Sequence, residues 1–216
     1  TQADEDRERV CLTANMESAK TLSVMVAAIY NAPHKTRDKM VHATCTISAI
    51  GWRFCVENQA KSMQGVVFLK KDMFTSFDFV EQPASSRPVQ VKFKVNLGNF
   101  LDCLHVFGTS CLGTTKLDVS YGVDSGCLRL MLTEQGVLTE CSLVTIDAAE
   151  ELDFQALASS MVNRAALHSS HLREAFSELS DLPGAANISL FMAPRAPYFR
   201  LASAGSSGSY TVDFPE

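Results

Sequence analysis

The sequence predicts an α+β fold assembled from a repeated strand–helix–strands unit. Apolar residues take helical i, i+3, i+4, i+7 spacing at Leu22, Met25, Val26 and Ile29 and again at Leu172, Ala175, Phe176 and Leu179. A shorter stripe at Leu97, Leu101 and Leu104 lies between them. The three stripes recur every 70–80 residues or so, and one such unit cannot cover its own apolar face. Each stripe follows one strand-like segment and precedes several. Val89–Val95 shows the pattern best, with Val89, Val91, Phe93 and Val95 alternating against Gln90, Lys92 and Lys94 as in a half-buried strand.

In chain order, Val10–Asn15 reads as a strand, Met16-Glu17-Ser18 opens the first helix and Pro33 closes it. The charged loop His34–Lys39 follows, then strands at Val41–Ile47, Trp52–Glu57 and Gly65–Lys70. Phe74–Val80 is extended and stops at the loop Pro83–Pro88. After Val89–Val95 the second helix runs through Phe107, and Gly108 ends it. Strands at Leu117–Tyr121, Cys127–Thr133 and Val137–Ile146 come next, the last two joined by the hairpin turn Glu134-Gln135-Gly136. The third unit has a strand at Ala156–Val162, its helix, a break at Pro183-Gly184, and strands at Ile188–Met192, Tyr198–Ser203 and Tyr210–Phe214. Residues 1–9 form an acidic, disordered start, 10–146 a first domain of two units, 147–155 an acidic connector, and 156–216 the first half of a second domain.

The composition is 46% hydrophobic and 20% charged over 216 residues, enough to build a substantial core. The longest apolar runs, such as Val24–Tyr30, fall far short of the ~20 residues that cross a bilayer. The acidic opening Thr1-Gln2-Ala3-Asp4-Glu5-Asp6 does not resemble a secretory leader. Seven scattered cysteines without a C-x-x-C pair argue for reduced thiols rather than disulfides or zinc, so a soluble intracellular protein is expected. The net charge of −5 counts against a surface broadly coated for nucleic acid, so any DNA contact must rest on particular Lys and Arg residues.

Local sequences narrow the family. Leu172-Arg173-Glu174-Ala175-Phe176-Ser177-Glu178-Leu179 and Pro197-Tyr198-Phe199-Arg200-Leu201 closely resemble the Rad-one subunits of the checkpoint clamp. So do Val56-Glu57-Asn58, Leu101-Asp102-Cys103-Leu104 with Phe107-Gly108, and Glu151-Leu152-Asp153-Phe154. The matches share one order along nearly the whole chain. The resemblance implies a PCNA-like sliding-clamp fold, with antiparallel sheets outside and helices lining the inner face. It also implies a nuclear, non-catalytic subunit that joins two other clamp-fold subunits in a heterotrimeric ring. Such a ring is placed on double-stranded DNA by a clamp loader and recruits checkpoint and repair proteins. No cofactor is implied. Two complete domains are implied as well, so the expectation is that the chain holds three of four units.

If helices line the hole, their non-core faces should meet phosphates. Those faces read Lys20, Val24, Ala27 and Asn31; Asn99, Asp102, Cys103 and Val106; and Ser170, Arg173, Glu174 and Ser177. Lys20, Arg164, Arg173 and His171 are therefore the DNA-facing candidates, a thin basic lining suited to weak, sequence-independent backbone contact. The loop His34–Lys39 reads as a solvated loop. A 3'-5' exonuclease is the enzyme alternative, since that activity has been proposed in the family, but two-metal hydrolysis needs converging carboxylates. Asp4-Glu5-Asp6 and Glu150-Glu151-Asp153 read instead as solvated acidic segments. His168, His171 and Glu174 fan over ~120° of helix, with His168 on the apolar stripe, so no metal site is expected there. No phosphate-binding or nucleophile motif appears, and Gly205–Gly208 reads as a hairpin loop. A DNA-independent interaction module remains a third class, docking peptides beside Leu143–Phe154 over an apolar floor from Val137–Leu143 and Ile146.

Overall fold

The first described strand does not pair with the next strand along the chain. The computed structural model describes residues 10–30, 41–58, 61, 63–80, 90–148 and 163–214. It divides into two compact units, Thr1–Leu152 and Asp153–Glu216. In the first unit, one repeat comprises β1 (Val10–Met16), α1 (Lys20–Ala27), β2 (His42–Ser48), β3 (Gly51–Glu57), β4 (Gln64–Lys70) and, past a 3-10 turn, β5 (Ser76–Phe79). The other comprises β6 (Val91–Asn96), α2 (Leu97–Leu104), β7 (Lys116–Gly122), β8 (Cys127–Glu134), β9 (Val137–Val144) and β10 (Ile146–Asp147).

β1 runs antiparallel to β7, with Leu12 opposite Tyr121 and Met16 opposite Leu117. β6 runs antiparallel to β2, with Phe93 opposite Cys45. Each repeat thus lends its first strand to the other repeat's sheet. The two five-stranded sheets, ordered β5-β1-β7-β8-β9 and β10-β6-β2-β3-β4, are the same arrangement with the repeats interchanged. The exchange supplies the cover that one unit lacks. It buries 28 residues in a continuous core, among them Leu12, Leu22, Val26, Trp52, Phe54, Phe93, Phe100, Leu104, Leu117 and Leu128.

Aromatic contacts tie the repeats and the two sheets together. Phe100 of α2 packs against Trp52 and Phe54 of β3, with ring centroids 6.0 and 5.5 Å away. Phe93 of one sheet stacks on Tyr121 of the other at 4.1 Å. Burying a large aromatic stabilises by ~3 kcal/mol, so these rings contribute heavily to the exchanged core. At the start of β3, Gly51 has φ +148°, and a Cβ there would run into the Leu69 carbonyl oxygen.

The hairpin at Glu134-Gln135-Gly136 forms as the sequence predicts, with φ +48° at Gln135 and +83° at Gly136 and Glu134 paired to Val137. The strand expected over Val137–Ile146 is two strands. Thr145 donates its hydroxyl to the Gly126 carbonyl at 2.7 Å, and its amide donates to the same oxygen. That anchors the end of β9, and β10 then crosses to the other sheet beside β6.

The second unit holds α3 (Ser169–Ser180) and a sheet ordered β11-β12-β13 from Ile188–Met192, Phe199–Gly205 and Gly208–Phe214. The Gly205–Gly208 loop is the predicted hairpin. Its buried core is Ala175, Leu179, Phe199 and Leu201. Leu172 is half-buried, whereas Phe176 of the predicted stripe is 40% exposed. His168, placed on that stripe by its spacing, is instead the exposed N-cap residue of α3. The strand expected at Ala156–Val162 lies outside the described residues. No helix among the described residues is long and apolar enough to cross a membrane.

Candidate nucleic-acid interface

α1 and α2 lie side by side, each following a strand in the same way. The Ala19 amide donates to the Thr115 carbonyl at 2.9 Å, and the Leu97 amide donates to the Val41 carbonyl at 2.8 Å. α2 also has a side-chain cap, Asn96 Oδ1 accepting from the Asn99 amide at 3.0 Å. α1 has no such cap at Ala19; instead Ser18 donates to the Leu112 carbonyl at 3.0 Å and accepts weakly from the Lys20 amide.

The face of α1 turned away from the core presents Lys20, Val24 and Ala27, all exposed, and Val24 is 58% so. Asn31 lies outside the described residues. On α2 the exposed residues are Asn99 and Asp102, with Val106 exposed just past its end. Cys103, expected on that face, is half-buried and packs into the core. Its thiol bonds to Cys141 on β9, and burial first, then Cys141, push it up to about 12. It is a packing residue rather than a lining one.

Lys20 is the one candidate in the first unit. Arg173 and His171 stand exposed on α3, where Glu174 and Glu178 are exposed too. The His168 and His171 rings are 5.7 Å apart. Arg164, also exposed, borders a cavity of about 320 Å³ lined by Leu167, Met192, Tyr198, Phe199 and Phe214. Arg164, Arg173 and His171 thus share the second unit, and Lys20 belongs to the first. The helices carry little positive charge: one Lys on α1, one Asp on α2, and one Arg against two Glu on α3.

One polar pair escapes a reading of the sequence. Ser23 Oγ and His105 Nε2 lie 2.8 Å apart, joining the first half of α1 to the C-cap of α2. Ser23 is 2% exposed, on the flank of the apolar stripe. A buried hydroxyl requires a partner, and that requirement was the available signal.

Around this corner the charges have partners. Glu17 pairs with Lys116 at 2.7 Å on the surface. Buried Glu134 accepts from Thr114 Oγ1 at 3.0 Å and Thr115 Oγ1 at 2.9 Å. Among the described residues no three His, Cys, Asp or Glu side chains gather as a metal set. Both acidic clusters weighed for nuclease chemistry, and most of the connector from residue 149 to 154, lie outside the described residues. Of the expected apolar floor, Val137 and Leu138 on β9 and Ile146 on β10 are exposed.

A family model described as "Repair protein Rad1/Rec1/Rad17" matches residues 11–216. The chain is 36% identical over 215 residues to the mouse cell cycle checkpoint protein RAD1, covering 99% of this chain and 70% of that protein. It is 35% identical over 217 residues to the human protein of the same name, covering 100% and 71%. Against the DNA damage checkpoint control protein rad1 of Schizosaccharomyces pombe, identity is 25% over 191 residues, covering 80% and 57%.

Proposed function

The chain belongs to the Rad1/Rec1/Rad17 family of repair proteins, a PCNA-like family, and from that premise we propose that it is a non-catalytic subunit of a heterotrimeric checkpoint clamp. It joins two other clamp-fold subunits, is placed around double-stranded DNA at damage by a loader, and recruits checkpoint and repair factors in the nucleus. The observation that supports this reading best is the exchanged pair of repeats, which sets α1 and α2 together over two antiparallel sheets.

Among the described residues the same arrangement leaves β9 an edge strand of its sheet and β13 an edge strand in the second unit. Edge strands carry unpaired backbone donors and acceptors that another chain's strand can complete. We assign ring contacts to these edges. The sparse charge on the helices suits a ring that slides, because a topological link needs no strong phosphate grip. Lys20, Arg164, Arg173 and His171 are its proposed backbone contacts.

The test is retention on DNA. The chain, assembled with two clamp-fold partners and loaded on closed circular DNA, should stay bound in high salt and be lost when the circle is linearised. Salt-sensitive binding that ignores linearisation would overturn the ring reading. A magnesium-dependent loss of DNA ends, abolished by a carboxylate substitution, would overturn the non-catalytic assignment.

A further inference from the structure

We propose that the outward face of the β10-β6-β2-β3-β4 sheet docks an acidic, carboxylate-rich segment of a partner protein, held by Lys92, Lys94 and Arg53. This rests on the clamp reading above in one respect: DNA passes along the helices and leaves the outward sheet faces to proteins.

Strand alternation defines the face. Phe93 and Val95 on β6, Cys45 on β2 and Phe54 on β3 point into the core, so the residues between them point the other way. Residues opposite one another on paired strands share a face. The register therefore sets Lys92, Thr46 and Arg53 side by side in one outward row, and Lys94, Thr44 and Cys55 in the next.

The other sheet of the same unit supplies the comparison. Val41 and Thr115 accept matching bonds at the two helix starts. Counted from them, Thr44 and Thr46 correspond to Asp118 and Ser120. Their pairings then match Lys94 with Asn15, Lys92 with Thr13, Cys55 with Met131 and Arg53 with Arg129. One sheet thus carries three cations and no carboxylate in these rows, and the other one cation and one carboxylate. On the strands beside them the other sheet adds Asp78 and Glu140. Beside the Lys94 row stand only Ile146 and Val66. Asn15 and Thr13 show that the fold does not require lysine at these places, so the concentration of positive charge needs another reason.

The face is equipped for carboxylates. Lys92 is exposed and Lys94 half-buried, and neither makes an ion pair among the described residues. Between Lys92 and Arg53, Thr46 is 8% exposed, and its Oγ1 has no hydrogen-bond partner. A buried hydroxyl calls for a partner, and a carboxylate drawn between the two cations supplies the acceptor. The one carboxylate on this face among the described residues, Glu57, lies at its corner and accepts from Gln64 Nε2 at 3.1 Å. The border favours a peptide over nucleic acid. Ile146 and Val66 are exposed apolar side chains at the two ends of the Lys94 row, whereas a duplex meets proteins mainly through phosphate and sugar.

The experiment follows the anisotropy of labelled octaglutamate with the chain, and of a short linear duplex with the assembled ring, at low salt. The native chain should bind octaglutamate despite its net charge of −5. Lys92→Glu/Lys94→Glu should weaken that binding by about tenfold, with melting temperature and duplex affinity unchanged. Lys20→Glu/Arg173→Glu makes the same charge change on the helix faces; it should weaken duplex binding and leave octaglutamate bound as before. No octaglutamate binding by the native chain, or equal binding by Lys92→Glu/Lys94→Glu, would overturn the proposal. So would octaglutamate binding lost in Lys20→Glu/Arg173→Glu, or duplex affinity lost in Lys92→Glu/Lys94→Glu, which would make the face a nucleic-acid surface. Retention on closed circles decides the clamp reading separately, so either can fail alone.

Discussion

The two compact units are made from the same local pieces, yet among the described residues one closes a core of 28 buried hydrophobic residues and the other a core of four. In the first, two repeats exchange their opening and closing strands, so each sheet of three gains two more and each helix lies over a completed surface. In the second, α3 lies over three strands, and Leu190, Phe191, Met192 and Tyr210 remain exposed among the described residues. Strand periodicity and helix stripe are alike in both. Burial comes from reciprocity between repeats rather than from the quality of any one repeat, in line with the size dependence of cores.

The sharpest way to break this comparison is Phe100→Ala, which removes the ring joining α2 of one repeat to Trp52 and Phe54 of the other. A loss of ~3–5 kcal/mol is expected, a large share of ordinary domain stability. Urea unfolding followed by fluorescence reads it directly, because Trp52 is the sole tryptophan. Leu179→Ala, at the centre of the smaller core, should cost ~2 kcal/mol, the low end for such sites, since that core can collapse more freely. It should lower the circular-dichroism transition of the second unit and leave the Trp52 transition unmoved. A shift in both would mean that the units unfold together.

Glu134→Ala removes one of the two acceptors that the Thr114 and Thr115 hydroxyls share and leaves them the Cys111 carbonyl oxygen, so ~1–1.5 kcal/mol of first-unit stability should go with it. Asn96→Ala removes the α2 cap for ~1 kcal/mol. The same loss has no counterpart at Ala19, so the variant measures how unequal the two helix starts are. The smallest effect concerns the pair Arg200–Asp213, a two-pronged bridge across β12 and β13 with its shorter bond at 2.6 Å. The Arg200 guanidinium holds the Asp213 carboxyl below its ordinary value of 3.8. A depressed carboxylate stabilises the fold above the unfolded value and loses that contribution as pH falls through the folded one. The difference in melting temperature between the native chain and Arg200→Gln should therefore shrink below about pH 4.

Local elements were legible because period alone specifies them. Alternation at Val91, Phe93 and Val95 identified β6, and Gln135-Gly136 tolerates the positive φ that its hairpin needs. Partner choice has no local period. Nothing in Val10–Met16 distinguishes pairing with β2 from pairing with β7, since either would bury the same face. The break at Thr145 is invisible for the same reason, as its hydroxyl bond to Gly126 exists only after the sheet forms. Cys103 was misplaced because its angular position on α2 looks free until β9 brings Cys141 beneath it. His168 was misplaced because a cap residue and a stripe residue share the same spacing from Leu172. The Lys and Arg candidates could be named by type and helix face, whereas the Ser23–His105 pair spans two repeats and needed the fold.

The exchanged strands also impose an order on synthesis. Met16 meets Leu117, so β1 leaves the ribosome about 100 residues before its partner exists, roughly 5–20 s at ordinary translation rates. Meanwhile the alternating apolar residues of β1 have only β5 to pair with. The nascent first repeat is thus an acceptor awaiting its donor, and its exposure to chaperones is timed by the gene's pace through the second repeat.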